Sequence, residues 1–376
     1  MSVSSQAKPG LPSVVVIGGG YGGVNVAKSL DDVAEVVLVE PKDAFVHNVA
    51  ALRALADPSW LPRIFLPYTS LLASGRVVQD RAVKVEPGQV TLGSGDQLAA
   101  DYVVLATGSH YPFPAKSDVD VTADAHDKFR GAHAALDAAG RVLLVGAGPV
   151  GVELAGEIKA VWPDKRVVLL DSADDILGAR FRADLKEELR RQLTDIGVEL
   201  LLSSPLRQPP PVVPGELSEF TVETESGTSV TADVWFQCYG VSPVSDYLAG
   251  DLATARQSDG FVAVTPTLQV VGQDRVFALG DVAAADHKMA GLASRQAEVV
   301  AGNIRSLIAG ESPAAQYEPG AAVIIVPVGP SGGSGQLPDT AELVTPEFAA
   351  QVKGRDMLVD RYEAVLGLTA PADARH

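Results

Sequence analysis

With 376 residues the chain is too long for one hydrophobic core, so two or three domains are expected. Hydrophobic residues make up 47% and charged residues 20%, as in a folded globular protein, and 30 Lys and Arg against 47 Asp and Glu leave a net charge of −17. No basic tract interrupts that excess, which excludes nucleic acid as a partner and strong attraction to an anionic membrane, and the single cysteine, Cys238, excludes any intramolecular disulfide.

In chain order, the first ten residues lack the apolar core of a signal peptide, and Ser2 stands where N-myristoylation needs glycine. No apolar run is long enough to span a bilayer. A cytoplasmic protein with at most peripheral membrane contact is expected, and a homodimer stays open. A β-branched run at 14–17 stops at Gly18-Gly19-Gly20-Tyr21-Gly22-Gly23. A helical pattern runs from there to Leu30, and a second strand at 36–39 ends on Glu40. This is a βαβ unit. Paired strands at 82–86 and 90–92 flank the turn Pro87-Gly88, and a buried strand at 102–105 ends at Ala106-Thr107-Gly108-Ser109. The βαβ order then recurs: a strand at 142–145, the turn Gly146-Ala147-Gly148-Pro149-Val150-Gly151, a helix to about Ala160, and a strand at 167–170 ending on Asp171. An amphipathic helix over 184–196 carries Leu185, Leu189, Leu193 and Ile196 on one face. Further strands fall at 234–236 and 277–279, the latter stopping at Gly280-Asp281, and a helix covers about 291–307. In the C-terminal piece, 321–326 is expected as a buried strand, and 345–353 is short and only moderately amphipathic.

Two such turns, each between a strand and a helix, point to two dinucleotide sites in an α/β fold with two Rossmann-like domains and a small C-terminal α+β segment. The expected boundaries are 12–109 with 232–312, 110–231, and 313–376. In the first turn Gly18 makes the bend, Gly20 lets backbone approach a diphosphate, and Gly23 lets the helix lie on the sheet. Gly146, Gly148 and Gly151 repeat these roles. Each helix N-terminus offers free N–H groups to the diphosphate. Glu40 and Asp171, 22 and 25 positions beyond the first glycines, suit the ribose hydroxyls. A carboxylate at Asp171 would repel a 2′-phosphate, which favours NADH over NADPH. No metal is expected.

The two turns, together with Ala106-Thr107-Gly108 and Gly280-Asp281, resemble those of the two-dinucleotide-domain flavoproteins, which include glutathione reductase and the type II NADH dehydrogenases. The resemblance implies FAD in the first site, NAD(P)H in the second, Asp281 on the FAD ribityl chain, and the backbone near Ala82 at adenine. Lys42-Asp43-Ala44-Phe45-Val46-His47-Asn48-Val49-Ala50-Ala51-Leu52-Arg53 is more specific, as are Val150 to Lys159, His287-Lys288-Met289-Ala290, Pro327 to Gly329 and Lys353-Gly354-Arg355-Asp356. These are similar to the ferroptosis suppressor and apoptosis-inducing-factor-like family, from Val14 to about Val359. That resemblance implies an enzyme that passes hydride from NADH through FAD to a quinone, a small-molecule acceptor. A reductase of a small electron-transfer protein, or a slow redox-sensing binder, stays open.

Disulfide reductases of this superfamily carry two cysteines beside the flavin, and 45–53 has none, so electrons must leave the flavin directly for an acceptor. Glu153 is expected to position nicotinamide or relay a proton, with Glu157 one turn on. His47 and Lys353 are candidates for protonating the acceptor, and Arg53 for the FAD diphosphate or ribityl. The N–H groups at Lys288, Met289 and Ala290 are candidates for the charge that develops near flavin N1 and O2. The sequence departs from the family at Tyr239, within Cys238-Tyr239-Gly240, and at Leu358, where an aromatic residue is usual.

Overall fold

The computed structural model describes residues 10–369 apart from 339, so the reading of the N-terminal leader lies outside the described residues. Two parallel sheets organise the chain. The first runs in the order Val276–Ala278, Tyr102–Leu105, Ser13–Ile17, Glu35–Val39, Arg76–Val78, with every pairing parallel. The second orders Val198–Leu201, Arg166–Leu170, Arg141–Val145 and Val234–Gln237, also all parallel. Val14, Val16, Val36, Leu38 and Val104 are buried on one face of the first sheet, and Val15, Val37, Val103 and Leu105 on the other. Burial on both faces explains why these strands read as unbroken apolar runs instead of alternating.

Each nucleotide turn sits where the central strand of its sheet gives way to a helix, Tyr21–Leu30 in the first and Pro149–Val161 in the second. The helix Ala290–Ile308 packs along Tyr21–Leu30 and brings Asp281 to the first turn. Two short strands, Ser109–His110 and Ser242–Pro243, pair antiparallel where the chain crosses between the sheets. A three-stranded antiparallel sheet, Ala82–Glu86, Gln89–Leu92 and Gln97–Ala99, flanks the first unit.

The C-terminal hairpin Ile324–Val328 with Gly332–Gln336 lies across the helix Pro149–Val161. The approach is close: a Cβ on Gly156 would stand 2.5 Å from the Gly329 nitrogen. The strand expected over 321–326 begins only at Ile324, and Val323 is exposed, because the pairing that defines it starts at Ile324 with Gln336. The segment expected to be a short helix over 345–353 is a turn of α-helix, Pro346–Ala349, running into a π-helix, Ala350–Gly354. Met357 and Leu358 follow with φ of 53° and 64°, left-handed values that are strained for residues with large side chains. The helix 184–196 is found as Ala183–Asp195 and that of 291–307 as Ala290–Ile308, end shifts of a residue or so that fraying permits, and Ile196, expected on the apolar face, follows the helix end and is exposed.

Candidate active site

The two glycine turns share one construction. Gly18 and Gly146 have φ of 102° and 109°, and a Cβ on either would drive into backbone, that of Ala106 in the first case and of Cys238 in the second. Gly23 and Gly151 press on the carbonyls of Gly18 and Gly146. The middle glycines differ. A Cβ on Gly20 or Gly148 would meet nothing within 4 Å. Both cap their helix with no side chain to bond, so the first N–H groups of each helix gain no side-chain cap.

The acids close each turn from the far side. Glu40 accepts hydrogen bonds from the N–H of Gly19 (2.6 Å) and Lys42 (3.0 Å), while burial pushes its carboxyl above the ordinary range. Asp171 accepts from the N–H of Ala147 (2.5 Å) and Ala173 (2.8 Å). Lys42 itself pairs with Asp120 at 3.3 Å. Tyr21 and Gly22 open the first helix, and Pro149 and Val150 the second.

Beside the first turn, Thr107 bonds the Tyr247 hydroxyl (2.9 Å), and Gly108 bends with φ of 68°. The Gly280 N–H donates to the buried Gln296 side chain at 2.7 Å, which fixes the approach of Asp281. Burial pushes the Asp281 carboxyl up, but Lys116, Ser109 and Lys288 together hold it below its ordinary value. Lys288 is neither exposed nor free. Its ammonium donates to the carbonyls of Ala283 (2.7 Å) and Asp286 (2.9 Å) and lies 4.2 Å from the Phe261 ring centre. Met289 caps the helix Ala290–Ile308 with no side-chain bond, so the N–H groups at its start are available.

A buried cluster of charges is drawn from three parts of the chain. Glu153 and Glu157 stand one turn apart on the helix Pro149–Val161. Lys353, from the π-helix, donates to Glu153 at 2.7 Å. Arg53 grips both oxygens of Glu157 and donates to the Gly354 carbonyl at 2.8 Å. Burial pushes both carboxyls upward, against the pull of Lys353 on Glu153 and of Arg53 on Glu157. Arg53, a candidate for the FAD diphosphate or ribityl, engages Glu157 and Gly354 through its Nε and one terminal nitrogen. Ala82 begins the antiparallel sheet and is buried.

The family model described as pyridine nucleotide-disulphide oxidoreductase matches residues 12–302, three quarters of the chain. The chain belongs to the pyridine nucleotide-disulphide oxidoreductase family. Within that family it is 33% identical to ferroptosis suppressor protein 1 of Taeniopygia guttata, covering 96% of this chain and 97% of the relative. It is 27% identical to apoptosis-inducing factor homolog B of Dictyostelium discoideum, over 95% and 97%. Among solved structures, the sulfide:quinone oxidoreductase of Aquifex aeolicus superposes with a TM-score of 0.72 at 18% identity, covering 96% and 93%, a likeness of fold.

A pyridine nucleotide-disulphide oxidoreductase uses FAD and NAD(P)H, and the two open cradles at Gly20 and Gly148 fit two dinucleotides. The disulphide of the family name has no counterpart here: Cys238 is buried, and burial pushes its thiol up to about 12. Among the described residues no group of His, Cys, Asp and Glu could hold a metal ion, and no helix is long and apolar enough to cross a membrane.

His47 is fully buried, with Phe45, Tyr21 and Tyr362 packed around it. Its Nε2–H donates to the Met357 carbonyl (2.7 Å), and its Nδ1 meets the Tyr21 hydroxyl (3.2 Å), which also accepts from the Val49 N–H. Both ring nitrogens are thus engaged, and burial depresses the imidazole to about 4. A neutral, occupied ring is poorly placed to protonate an acceptor. Because the folded value lies below the unfolded one near 6.5, the unfolded chain takes up the proton first as pH falls. The associated stability is complete above about pH 6.5 and is lost as pH drops towards about 4, an effect of about 3 kcal/mol. Urea midpoints compared at pH 7 and pH 5 should show a smaller drop in His47→Gln than in the wild type; equal drops would assign the acid sensitivity elsewhere.

Sequence reasoning missed Lys116, Tyr68, Gln296 and Gly156. Tyr68 donates to the Gly19 carbonyl at 2.9 Å and backs the first turn, 49 positions along the chain. Gly156 lies within the stretch Val150 to Lys159 without standing out there; the other three belong to no local motif, and of them only Lys116 left a trace, as a lone cation in the proline-rich stretch Tyr111-Pro112-Phe113-Pro114-Ala115-Lys116.

Proposed function

We propose that this protein oxidises NADH through FAD held at Gly18–Gly23 and passes the electrons to a quinone. Bound FAD supplies the capacity to accept hydride and release electrons. The observation that carries the reading is the Glu153–Lys353 pair, which joins the helix after the second glycine turn to the C-terminal segment. With no second cysteine to receive electrons, that junction is where an acceptor and a proton would have to meet. Glu153 either orients nicotinamide or moves a proton, and Lys353 sets its charge.

The preference for NADH rests on Asp171. Two backbone N–H groups hold its carboxylate at the end of Arg166–Leu170, where it favours ribose hydroxyls and repels a 2′-phosphate. The sulfide:quinone oxidoreductase, similar to this chain in fold, carries a quinone in its name. A basic docking face would suit an acidic electron-transfer protein, and the net charge of −17 opposes that alternative.

Anaerobic titration of the purified yellow protein is the test. NADH should bleach the flavin much faster than NADPH, and ubiquinone or menaquinone analogues should restore the colour where ferredoxin does not. A fast response to NADPH, or a reduced protein inert to every quinone, would refute the assignment.

A further inference from the structure

We propose that Lys116 is a positioning residue for the flavin: from the connector between the two nucleotide sheets, its ammonium locks one oxygen of Asp281 and leaves the other turned to the ribityl chain. The proposal rests on the reading of Asp281 as the ribityl acceptor and adds the group that makes it one.

An ammonium has three donors and no acceptor. Those of Lys116 meet the Ser109 carbonyl (2.9 Å), the Ser109 hydroxyl (2.8 Å) and Asp281 Oδ2 (2.8 Å). Nothing is left to donate to a cofactor, so Lys116 acts through Asp281. The Ser109 hydroxyl donates to the same Oδ2 at 2.7 Å. Both partners thus converge on one oxygen. Oδ1 makes no hydrogen bond among the described residues, and the side chain keeps 19% of its exposure, so this oxygen is left as a free acceptor.

The connection has a consequence for architecture. Ser109–His110 belongs to the crossing pair of strands, and Lys116 lies on the stretch that leads into the helix Thr122–Ala138 beneath the second sheet. The ion pair therefore ties the inter-sheet connector to the Gly280–Asp281 corner. By reciprocity, whatever FAD gains from an ordered Asp281, the connector gains from bound FAD.

The charged and titratable groups facing Asp281 are Lys116, Lys288 and Tyr21. Asp281 is kept ionised against burial chiefly by Lys116. Its folded value lies below the ordinary one, so the carboxylate, and the flavin it holds, should persist as pH falls until that low value is reached. Without Lys116, burial prevails, and the loss should occur at higher pH.

The test uses the full chain freed of FAD and measures FAD binding by flavin fluorescence from pH 4 to 8 for wild type, Lys116→Met, Lys116→Arg and Asp281→Ala. Lys116→Met should bind FAD at least about tenfold more weakly at pH 7. It should also release FAD at a higher pH than wild type, and Lys116→Arg should recover most of both. Lys116→Met within twofold of wild type, with an unchanged release pH, would overturn the proposal if Asp281→Ala loses FAD. Equal losses in the Met and Arg variants would also overturn it, since FAD would then be sensing connector packing and not charge at Asp281. Full FAD retention by Asp281→Ala would remove the ribityl reading itself.

Discussion

Replacing Arg53 with methionine should cost about 3–5 kcal/mol of stability, because it strands the Glu157 carboxylate in a site where that residue is only 1% exposed. Arg53 is 5% exposed and also satisfies the Gly354 carbonyl, so water cannot readily stand in for it. Removing both charges is a different experiment. In Arg53→Met with Glu157→Leu no ion is left unpaired, and most of the loss should be recovered, the remainder being about 1–3 kcal/mol for the orphaned carbonyl. The pH dependence has a definite sign. Burial already raises Glu157, and without Arg53 it rises further, so the single variant's deficit should be largest in alkali and shrink as Glu157 takes up a proton in acid. Chemical denaturation of the three proteins at several pH values checks this, and a double variant as unstable as the single one would refute the account. FAD content supplies a second answer. If Arg53 also held the FAD diphosphate, the double variant would regain stability but stay colourless.

What was legible in the sequence was whatever is written locally. Gly18, Gly20 and Gly23 lie within six residues, and their roles follow from strand, turn and helix in succession, so the cradle could be read without a fold. Asp171 and Glu40 were legible for the same reason, since a parallel strand one helix away must return to the turn. The charge junction was not. Arg53 meets Glu157 across 104 positions, Lys353 meets Glu153 across 200, and Lys116 meets Asp281 across 165. Each pairing depends on how one unit docks on another, which no residue pattern encodes. His47 shows the opposite situation. A histidine in a motif shared with flavoenzymes suggested proton transfer, but Tyr21 and Met357, one from each end of the chain, occupy its two nitrogens. The C-terminal segment was hardest to read, because its π-helix and the left-handed pair Met357 and Leu358 obey no simple period.

Glu153→Gln should slow quinone reduction about 100-fold while leaving FAD bound, the size expected when a positioned acid–base group is lost. Glutamine keeps the volume and can still accept from Lys353, so the variant isolates the proton and the charge. The pH profile then decides between the two roles open to Glu153. A carboxyl can give up a proton only while it holds one. Burial raises Glu153 above its ordinary 4.5, so a proton-donating role places a limb above that value along which the rate falls as pH rises. Glu153→Gln should lose that limb. Lys353 pulls the same group down, so Lys353→Met should move the limb to higher pH instead of abolishing it. If Glu153 only orients nicotinamide, its removal should lower the rate evenly across pH and raise the KM for NADH. A Glu153→Gln protein with wild-type turnover and an unaltered pH profile would take the Glu153–Lys353 junction out of the chemistry and leave it a strut for the C-terminal segment.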